Sequence, residues 1–346
     1  STTTFALTTT SNSTTTTTTT TTSSTTTTTM GSGPAAFSAT LMAVGDISEI
    51  YPLGNLSPPD HTLPTDHNYF LFKNTAEAYD VFAPVSGEVI KVGGGGDSDY
   101  DIEVKCSETF KYYLGHLGSL EAFFVPYIGN NNVSGLSLAT GQKIGTAGRG
   151  RHAVALDLGV IDEDITLTGF INPINYSEKT INCGAPLSYY LEPYKTSYEA
   201  LVTRVGTTEK NGKIDYDQAG KLIGNWFAID LDSGSSQKGN SGPFGKKHLA
   251  FAPSNLNATQ EVISIGGEIT GEGVSLGAYP VQNGAMPFEN VSQLSGLVSY
   301  TLYNRFDVTE VKGYLIVRYN AADTISVEAS SSNLTNFSSA AKTYTR

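Results

Sequence analysis

The sequence predicts a mainly β protein, in which two β domains follow an extended N-terminal arm. Of the 346 residues, 36 are glycine and 14 are proline, and long helical patterns are rare. Short apolar or alternating segments recur between turn residues, which is typical of antiparallel sheets, sandwiches and barrels. Hydrophobic residues make up 39% of the chain, including 19 tyrosines and 15 phenylalanines, which is enough to build a core.

The predicted arm comprises residues 1–45, none of which is charged. So polar a segment cannot bury a core of its own, and its β-branched threonines favour extended backbone. Two interpretations stay open: a flexible, glycosylated stalk, or a strand that pairs with a neighbouring subunit. The candidates for O-glycosylation are Thr14, Thr15, Thr16, Thr17, Thr18, Thr19, Thr20, Thr21 and Thr22. The apolar candidates for anchoring the arm in a neighbour are Phe5, Leu7, Phe37 and Leu41.

Residues 46–185 are predicted to form the first β domain. Ile102 and Val104 alternate with charged residues, which is the pattern of a half-buried strand, and residues 153–160 form an apolar core strand. Four acidic residues alternate in the same region and are predicted to form a solvated face rather than a cation site: Asp97, Asp99, Asp101 and Glu103.

Residues 186–346 are predicted to form a second, β-sandwich-like domain. One short helix is expected between Tyr189 and Val202, and strands are expected after it. The runs that predict these strands are residues 226–231, 248–252, 262–265, 297–303, 314–319 and 324–328.

Four sequence pieces follow one another in the first predicted domain. They are His67 within residues 64–69, an alanine–proline turn and glycine-centred hairpin at 81–90, Tyr113-Leu114-Gly115-His116-Leu117, and residues 140–145 followed by the strand 152–160. This ordered set resembles the lysostaphin-type zinc endopeptidases, which cut peptide cross-links in bacterial cell walls, over about 100 of the 346 residues. The resemblance implies a curved antiparallel sheet with short covering hairpins.

The resemblance also implies a zinc site made of a histidine, an aspartate four residues later and the second histidine of a His-x-His strand. His67 matches the first ligand, but Leu71 stands at the carboxylate position. Asp157 aligns with the metal-binding histidine of the strand, and Ala155 with the other one. A hydrolytic zinc needs three protein ligands and an open position for water. The sequence therefore predicts neither a zinc cofactor nor peptidase activity.

The residues that remain are predicted to be vestiges of such a site. The metal candidates are His67 and Asp157, and the catalytic candidates are His116, which matches the family's catalytic histidine, and His152. Two alternatives stay open. One is an altered site made of His67, Asp157 and His116, and the other is a working zinc hydrolase.

The cysteines and glycosylation signals predict an extracellular protein. Cys106 and Cys183 are the only two cysteines, and they are either two buried thiols or, as we predict, one disulfide. The Asn-x-Ser/Thr signals lie at Asn12, Asn55, Asn132, Asn175, Asn257, Asn290, Asn333 and Asn336. The chain begins at Ser1, which fits a mature form without its signal peptide or a truncated chain.

The net charge narrows the functional classes. The chain has 21 basic and 33 acidic residues, and its net charge of −12 argues against binding to nucleic acid or anionic lipid. No apolar run reaches the length of a membrane span. We predict a structural subunit of an extracellular, glycosylated filament or cell-surface assembly, which pairs with copies of itself through the arm. The alternatives are a secreted zinc hydrolase of cell-wall peptides and an inactive module that binds glycans or peptides.

Overall fold

The computed structural model describes residues 31–149, 154–231, 239, 245–269, 273–282, 284–321 and 323–346. Gly31–Arg346 form one compact unit. The predicted sites that lie outside the described residues are Phe5, Leu7, Asn12, Thr14–Thr22 and His152. Within the described residues the fold is mainly β with antiparallel sheets, which confirms the predicted fold class.

The first sheet has ten strands, and all of their pairings are antiparallel. The strands are β1 (Ile47–Tyr51), β2 (His67–Phe72), β3 (Tyr79–Phe82), β4 (Gly87–Gly94), β5 (Tyr100–Lys105), β6 (Phe110–Leu120), β7 (Ser137–Leu138), β8 (Lys143–Ala147), β9 (Ala155–Asp162) and β10 (Cys183–Gly184). Their main order is β1-β2-β9-β6-β5-β4-β7, with β10 beside β9, and β8 joining β3 to β6. Every residue of β9 is buried, as expected of the apolar central strand that the sequence predicts.

The second sheet has eight antiparallel strands and curls into a near-barrel. The strands are β11 (Gly224–Ala228), β12 (His248–Pro253), β13 (Glu261–Ile265), β14 (Gly277–Pro280), β15 (Leu297–Tyr303), β16 (Val311–Tyr319), β17 (Thr324–Ser330) and β18 (Lys342–Thr345). Their order is β14-β13-β12-β11-β18-β17-β16-β15, so β14 and β15 are the two edges. The six strand-like runs predicted in this region correspond to β11, β12, β13, β15, β16 and β17, which confirms them.

Helices are short. The two α-helices are α1 (Glu178–Ile181) and α2 (Tyr194–Glu199), and α2 confirms the helix predicted between Tyr189 and Val202. Short 3-10 helices lie at Val44–Asp46, Gly96–Ser98, Ala122–Tyr127, Pro173–Asn175, Pro186–Tyr189, Gly245–Lys247 and Gln293–Ser295. In the described part of the chain, no helix combines the length and the apolar character that a membrane crossing requires.

Three apolar clusters hold these elements together. One lies under the first sheet, and a second fills the interior of the eight-stranded sheet. The third cluster joins the two sheets, because it packs loop residues around the first sheet against the opposite face of β11 to β13. Phe170 and Tyr176 lie in this third cluster with ring centroids 4.1 Å apart, and Phe227 of β11 packs on Tyr176.

The positions of Phe37 and Leu41 correct the prediction that these residues anchor an arm in a neighbouring subunit. Both side chains have no exposed surface and lie in the core under the first sheet of their own chain. The Phe37 amide donates to the Tyr189 carbonyl over 2.8 Å, and its ring packs 5.0 Å from that of Tyr190. The Leu41 amide donates to the Tyr198 hydroxyl over 3.0 Å. An apolar residue in a charge-free segment fits a pocket of its own chain as well as one of a neighbour.

The structure also corrects the predicted disulfide, because Cys106 and Cys183 are free thiols. Cys106 follows β5 and packs against the core under the first sheet, whereas Cys183 begins β10 and belongs to the cluster between the sheets. Burial raises the pKa of the Cys106 thiol to about 12 and the pKa of Cys183 well above its usual value. Both thiols are therefore poor nucleophiles.

Two of the predicted N-glycosylation sites lie inside the fold. Asn55 is only 8% exposed and accepts a hydrogen bond from Arg305, and Asn175 is 7% exposed. A bulky glycan does not fit at either position, which corrects those two predictions. The sequons that the structure leaves partly or fully exposed are Asn132, Asn257, Asn290, Asn333 and Asn336.

Candidate functional site

Strand register brings His67 and Asp157 to one face of the first sheet. His67 begins β2 opposite Gly159 of β9, and Tyr69 lies opposite Asp157. Side chains two residues apart on a strand point to the same face. His67 and Asp157 therefore share a face, and the ring of Tyr113 on β6 lies where a side chain at Gly159 would stand.

His116 reaches the same face through an irregularity in β6. Its φ of +65° lies in the left-handed region, which residues other than glycine rarely adopt, and the register between β6 and β5 shifts at this point. A bulge of this kind redirects a side chain. Gly115, the residue before it, lies opposite Asp157, and a Cβ there would approach the Asp157 carboxylate to 3.3 Å.

Three carboxylates and two imidazoles alternate across this face. Asp66 Oδ1 lies 3.1 Å from His67 Nδ1, and His67 Nε2 lies 3.4 Å from Asp157 Oδ2. The same Asp157 oxygen lies 3.4 Å from His116 Nε2, and His116 Nδ1 lies 3.1 Å from Asp99 Oδ1. We call these five residues the carboxylate–imidazole chain. Each ring nitrogen in it faces a carboxylate oxygen, but His67 Nε2 and Asp157 Oδ1 make no hydrogen bond among the described residues.

The buried end of the chain is Asp66. Tyr113 donates to its Oδ1 over 2.9 Å, Thr180 donates to its Oδ2 over 3.1 Å, and Lys179 Nζ lies 3.6 Å from Oδ1. Burial opposes ionisation, but Lys179 and the hydrogen bonds from His67 and Tyr113 outweigh it and hold the pKa of Asp66 well below its usual range. Asp66 is therefore ionised at neutral pH, and the groups around it compensate its negative charge.

Only part of the carboxylate–imidazole chain is open to solvent. His67 is 6% exposed and Asp157 is 7% exposed, whereas the side chains of His116 and Asp99 are about one-third exposed. A buried carboxylate is costly unless opposite charges or hydrogen bonds compensate it. The arrangement sets imidazoles against carboxylates within the protein, and it brings β2, β6 and β9 together at one point.

Leu71 and Ala155 show how far this face departs from a zinc centre. They lie directly opposite each other in the register of β2 and β9. They also line an apolar cavity of about 270 Å³, together with Tyr51, Tyr69 and Val154. The lysostaphin-type pattern implies a carboxylate and an imidazole at these two positions. Two positions at which the family pattern implies polar side chains are thus occupied by apolar ones.

The remaining donors do not fit a catalytic metal. Among the residues that the structure describes, no three histidine, cysteine or acidic side chains are arranged to hold a metal ion. His67 and His116 both approach Asp157, as the altered-site alternative requires, but these three residues are not among any described group that could hold a metal ion. His152 lies outside the described residues and does not enter this comparison.

Sequence reasoning missed two members of the carboxylate–imidazole chain, Asp66 and Asp99. Asp66 directly precedes His67 within the motif at residues 64–69, so the sequence itself indicates that the two side chains are close. The sequence predicts Asp99 in a solvated acidic face; its side chain is 33% exposed and also lies 3.1 Å from His116 Nδ1, a contact that the prediction does not include. Asp101 fits the prediction, since it is 42% exposed and pairs with Lys91 on the surface.

The solved structures described below each match less than half of this chain. No protein-family model matches the sequence, and no curated protein matches it. A zinc-containing peptidase from Vibrio cholerae is similar over 37% of each chain, at 16% identity and a TM-score of 0.26. A putative M23 peptidase from Pseudomonas aeruginosa is similar over 37% of this chain and 50% of that chain, at 19% identity and a TM-score of 0.22.

A third solved structure with similarity is the SpoIIQ–SpoIIIAH pore-forming complex. The match covers 48% of this chain and 96% of that chain, at 13% identity and a TM-score of 0.33. The chain thus spans about a third to a half of the two peptidase chains and nearly all of the third. The structural neighbours include M23 peptidases, the lysostaphin-type family whose motifs the sequence resembles.

Proposed function

We propose that the protein is a structural subunit of an extracellular assembly, in which the lysostaphin-like sheet serves as a scaffold. The observation that carries the proposal is the face around Asp157. Its histidines lie against carboxylates, Leu71 stands at the implied carboxylate ligand, and Ala155 stands at the other histidine of the implied His-x-His strand. A peptide hydrolase needs a positioned nucleophile and an open ligand position. Among the residues that the structure describes, no three such donors are arranged to hold the metal that would supply them.

The segment proposed to join subunits is now shorter than the predicted arm. Since Phe37, Leu41 and Met42 are buried in their own chain, residues 31–45 are part of the folded unit. Residues 1–30 remain, and 20 of them are threonine while none is charged. Such a neutral, β-branched segment suits extended backbone pairing with a neighbouring copy. Phe5 and Leu7 would fix its register.

The edge of the eight-stranded sheet offers a place for such a segment. Strand β14 pairs on one side only, and a groove of about 500 Å³ runs beside it. Leu276 and Phe306 line the groove and are 39% and 92% exposed. Exposed apolar residues beside an unpaired strand edge are typical of an interaction site. A head-to-tail contact of this kind repeats without closing and yields a filament.

Glycans and location are part of the same proposal. The exposed sequons at Asn132, Asn290, Asn333 and Asn336 leave room for N-linked glycans, and the threonines of residues 1–30 supply hydroxyl groups for O-linked ones. Sugars on the exposed part of the segment would prevent unwanted sheet stacking. Their presence would place the protein outside the cell.

Removing residues 1–30 is expected to abolish assembly and leave a folded monomer. The physical reason is that the deletion spares the core residues Phe37 and Leu41 while it removes the pairing segment. Sedimentation velocity of the full and the shortened chain over a range of concentrations measures the difference. Phe306→Ala in the full chain should weaken assembly without unfolding the protein, because this ring is almost fully exposed. Assembly of the shortened chain, or a full chain that stays monomeric at high concentration, would contradict the proposal.

A further inference from the structure

A second site lies beside the carboxylate–imidazole chain, where the loop before β2, the segment around α1 and strand β11 meet. It is a cavity of about 330 Å³, a size typical of small-molecule sites. Its lining combines polar and aromatic side chains, among them His61, Phe170, Tyr176, Lys179 and Asn225. Asn225 comes from the second sheet and His61 from the loop before β2, so the lysostaphin-like motifs alone do not build it.

Asn225 carries an unsatisfied acceptor at this cavity. The residue is 2% exposed, and its Nδ2 donates to the Tyr176 hydroxyl over 3.1 Å. Its Oδ1 has no hydrogen-bond partner among the described residues. A buried polar atom without a partner destabilises a fold. An occupant of the cavity that donates a hydrogen bond to this oxygen would remove that cost.

The charges of the lining favour a neutral occupant. Lys179 Nζ lies 3.6 Å from the Asp66 carboxylate, which also lines the cavity, so the two charges compensate each other. An anion would be repelled by Asn225 Oδ1 and Asp66, and a cation would be repelled by Lys179. His61 adds no charge at neutral pH, because burial and the nearby His67 lower its pKa to about 4.

Hydroxyl groups meet all of these requirements. A hydroxyl donates one hydrogen bond and accepts others, so it suits both Asn225 Oδ1 and the ammonium of Lys179. Phe170 and Tyr176 add apolar ring surface, with centroids 4.1 Å apart and ring planes 31° from parallel. Such rings suit a ligand that carries C–H groups between its hydroxyls. A ring with several hydroxyls and an apolar face is a saccharide unit.

We propose that this cavity binds one neutral saccharide unit, with a sugar hydroxyl donating to Asn225 Oδ1 and another accepting from Lys179 Nζ. The site is independent of the proposed assembly, since it uses neither residues 1–30 nor the edge of β14. Its occupant is either a free sugar or the end of a glycan, and the two share the chemistry that the cavity recognises.

Saturation-transfer NMR on the full chain tests the site with defined probes. Glucose, galactose, mannose and N-acetylglucosamine are offered singly, and acetate and methylammonium serve as the anionic and cationic probes. The sugar with the strongest transfer is then titrated by calorimetry. A methyl glycoside of the same sugar and a short oligosaccharide ending in it distinguish a free sugar from a glycan end. The expected result is saturation transfer to at least one sugar and to neither charged probe.

Two variants and a matched control assign the binding to this cavity. Lys179→Met is expected to weaken binding of the titrated sugar at least about tenfold, as the loss of a hydrogen bond to a charged group does. Asn225→Leu should weaken it similarly. Lys195→Met, a surface lysine with the same 40% side-chain exposure, should leave it unchanged. Lys179 lies at the partly exposed rim, so this variant remains informative even where Asn225→Leu unfolds.

The opposite results would overturn the proposal. These are no saturation transfer to any of the four sugars, transfer to acetate or methylammonium in their place, or equal sugar affinity in Lys179→Met and Lys195→Met. Because assembly is not measured, failure here leaves the structural role of residues 1–30 untouched.

Discussion

Replacing Phe37 by alanine is expected to lower the free energy of unfolding by about 3–5 kcal/mol, the range for a fully buried phenylalanine. The ring has no exposed surface and packs against the rings of Phe110, Tyr112 and Tyr190 at 5.0–6.0 Å. Its loss leaves a cavity at the centre of the core under the first sheet, bounded by rings that cannot collapse into it.

Urea denaturation of the full chain at low protein concentration measures this effect. Phe306→Ala is the matched control, because it makes the same chemical change at a residue that is 92% exposed. The control should cost less than about 0.5 kcal/mol, as for an ordinary surface substitution. If Phe37→Ala costs no more than the control, residues 31–45 are not part of the folded unit, and the whole of residues 1–45 is again available as an arm.

The second large effect is expected at Asp157. Replacing it by alanine should lower the free energy of unfolding by about 1–3 kcal/mol, because the two imidazoles that face it are left without a polar neighbour. Its Oδ2 lies 3.4 Å from both His67 and His116, and the residue is 7% exposed. Without the carboxylate, the two imidazoles lose the group that they share. The link between β2, β6 and β9 is lost with it.

Asp80→Ala is the control for the loss of Asp157. Asp80 also pairs with a cation, Lys143 at 2.8 Å, but its side chain is 53% exposed. The control should cost less than about 1 kcal/mol, since exposed ion pairs contribute little. Thermal unfolding and urea denaturation give both values. Similar losses in the two variants would mean that the carboxylate–imidazole chain does not stabilise the fold.

The local features of the sequence predicted the elements of the fold well. Alternation of apolar and charged residues around Ile102 and Val104 marks β5, and the continuous apolar run at Ala155 marks the buried strand β9. These patterns are local, because the period of a strand and its burial are written in neighbouring residues. The same holds for α2 and for the strands of the second sheet.

Features that depend on tertiary pairing were harder to predict. The sequence does not show that Phe37 meets Tyr190, because these residues are far apart in the chain. It does not show that Cys106 and Cys183 lie in different clusters, or that Asn55 is enclosed by Arg305. Each of these facts follows from the register and packing of distant segments.

The candidate site depends both on local motifs, which the sequence shows, and on tertiary contacts, which it does not. The motifs predicted His67, His116 and Asp157 as the remnants of one site, and the structure brings these three together. Their capping carboxylates, Asp66 and Asp99, were not recognised. The contact of Asp99 with His116 depends on the bulge in β6, which no local pattern in the sequence marks.

The proposed scaffold role requires that His67, Asp157 and His116 do not hold a zinc ion. The most direct measurement is the zinc content of the full chain after loading with zinc and dialysis, by mass spectrometry of the metal, beside the variant His67→Ala. We expect no stoichiometric zinc in either protein. One zinc per chain in the parent that is lost from His67→Ala would contradict the account.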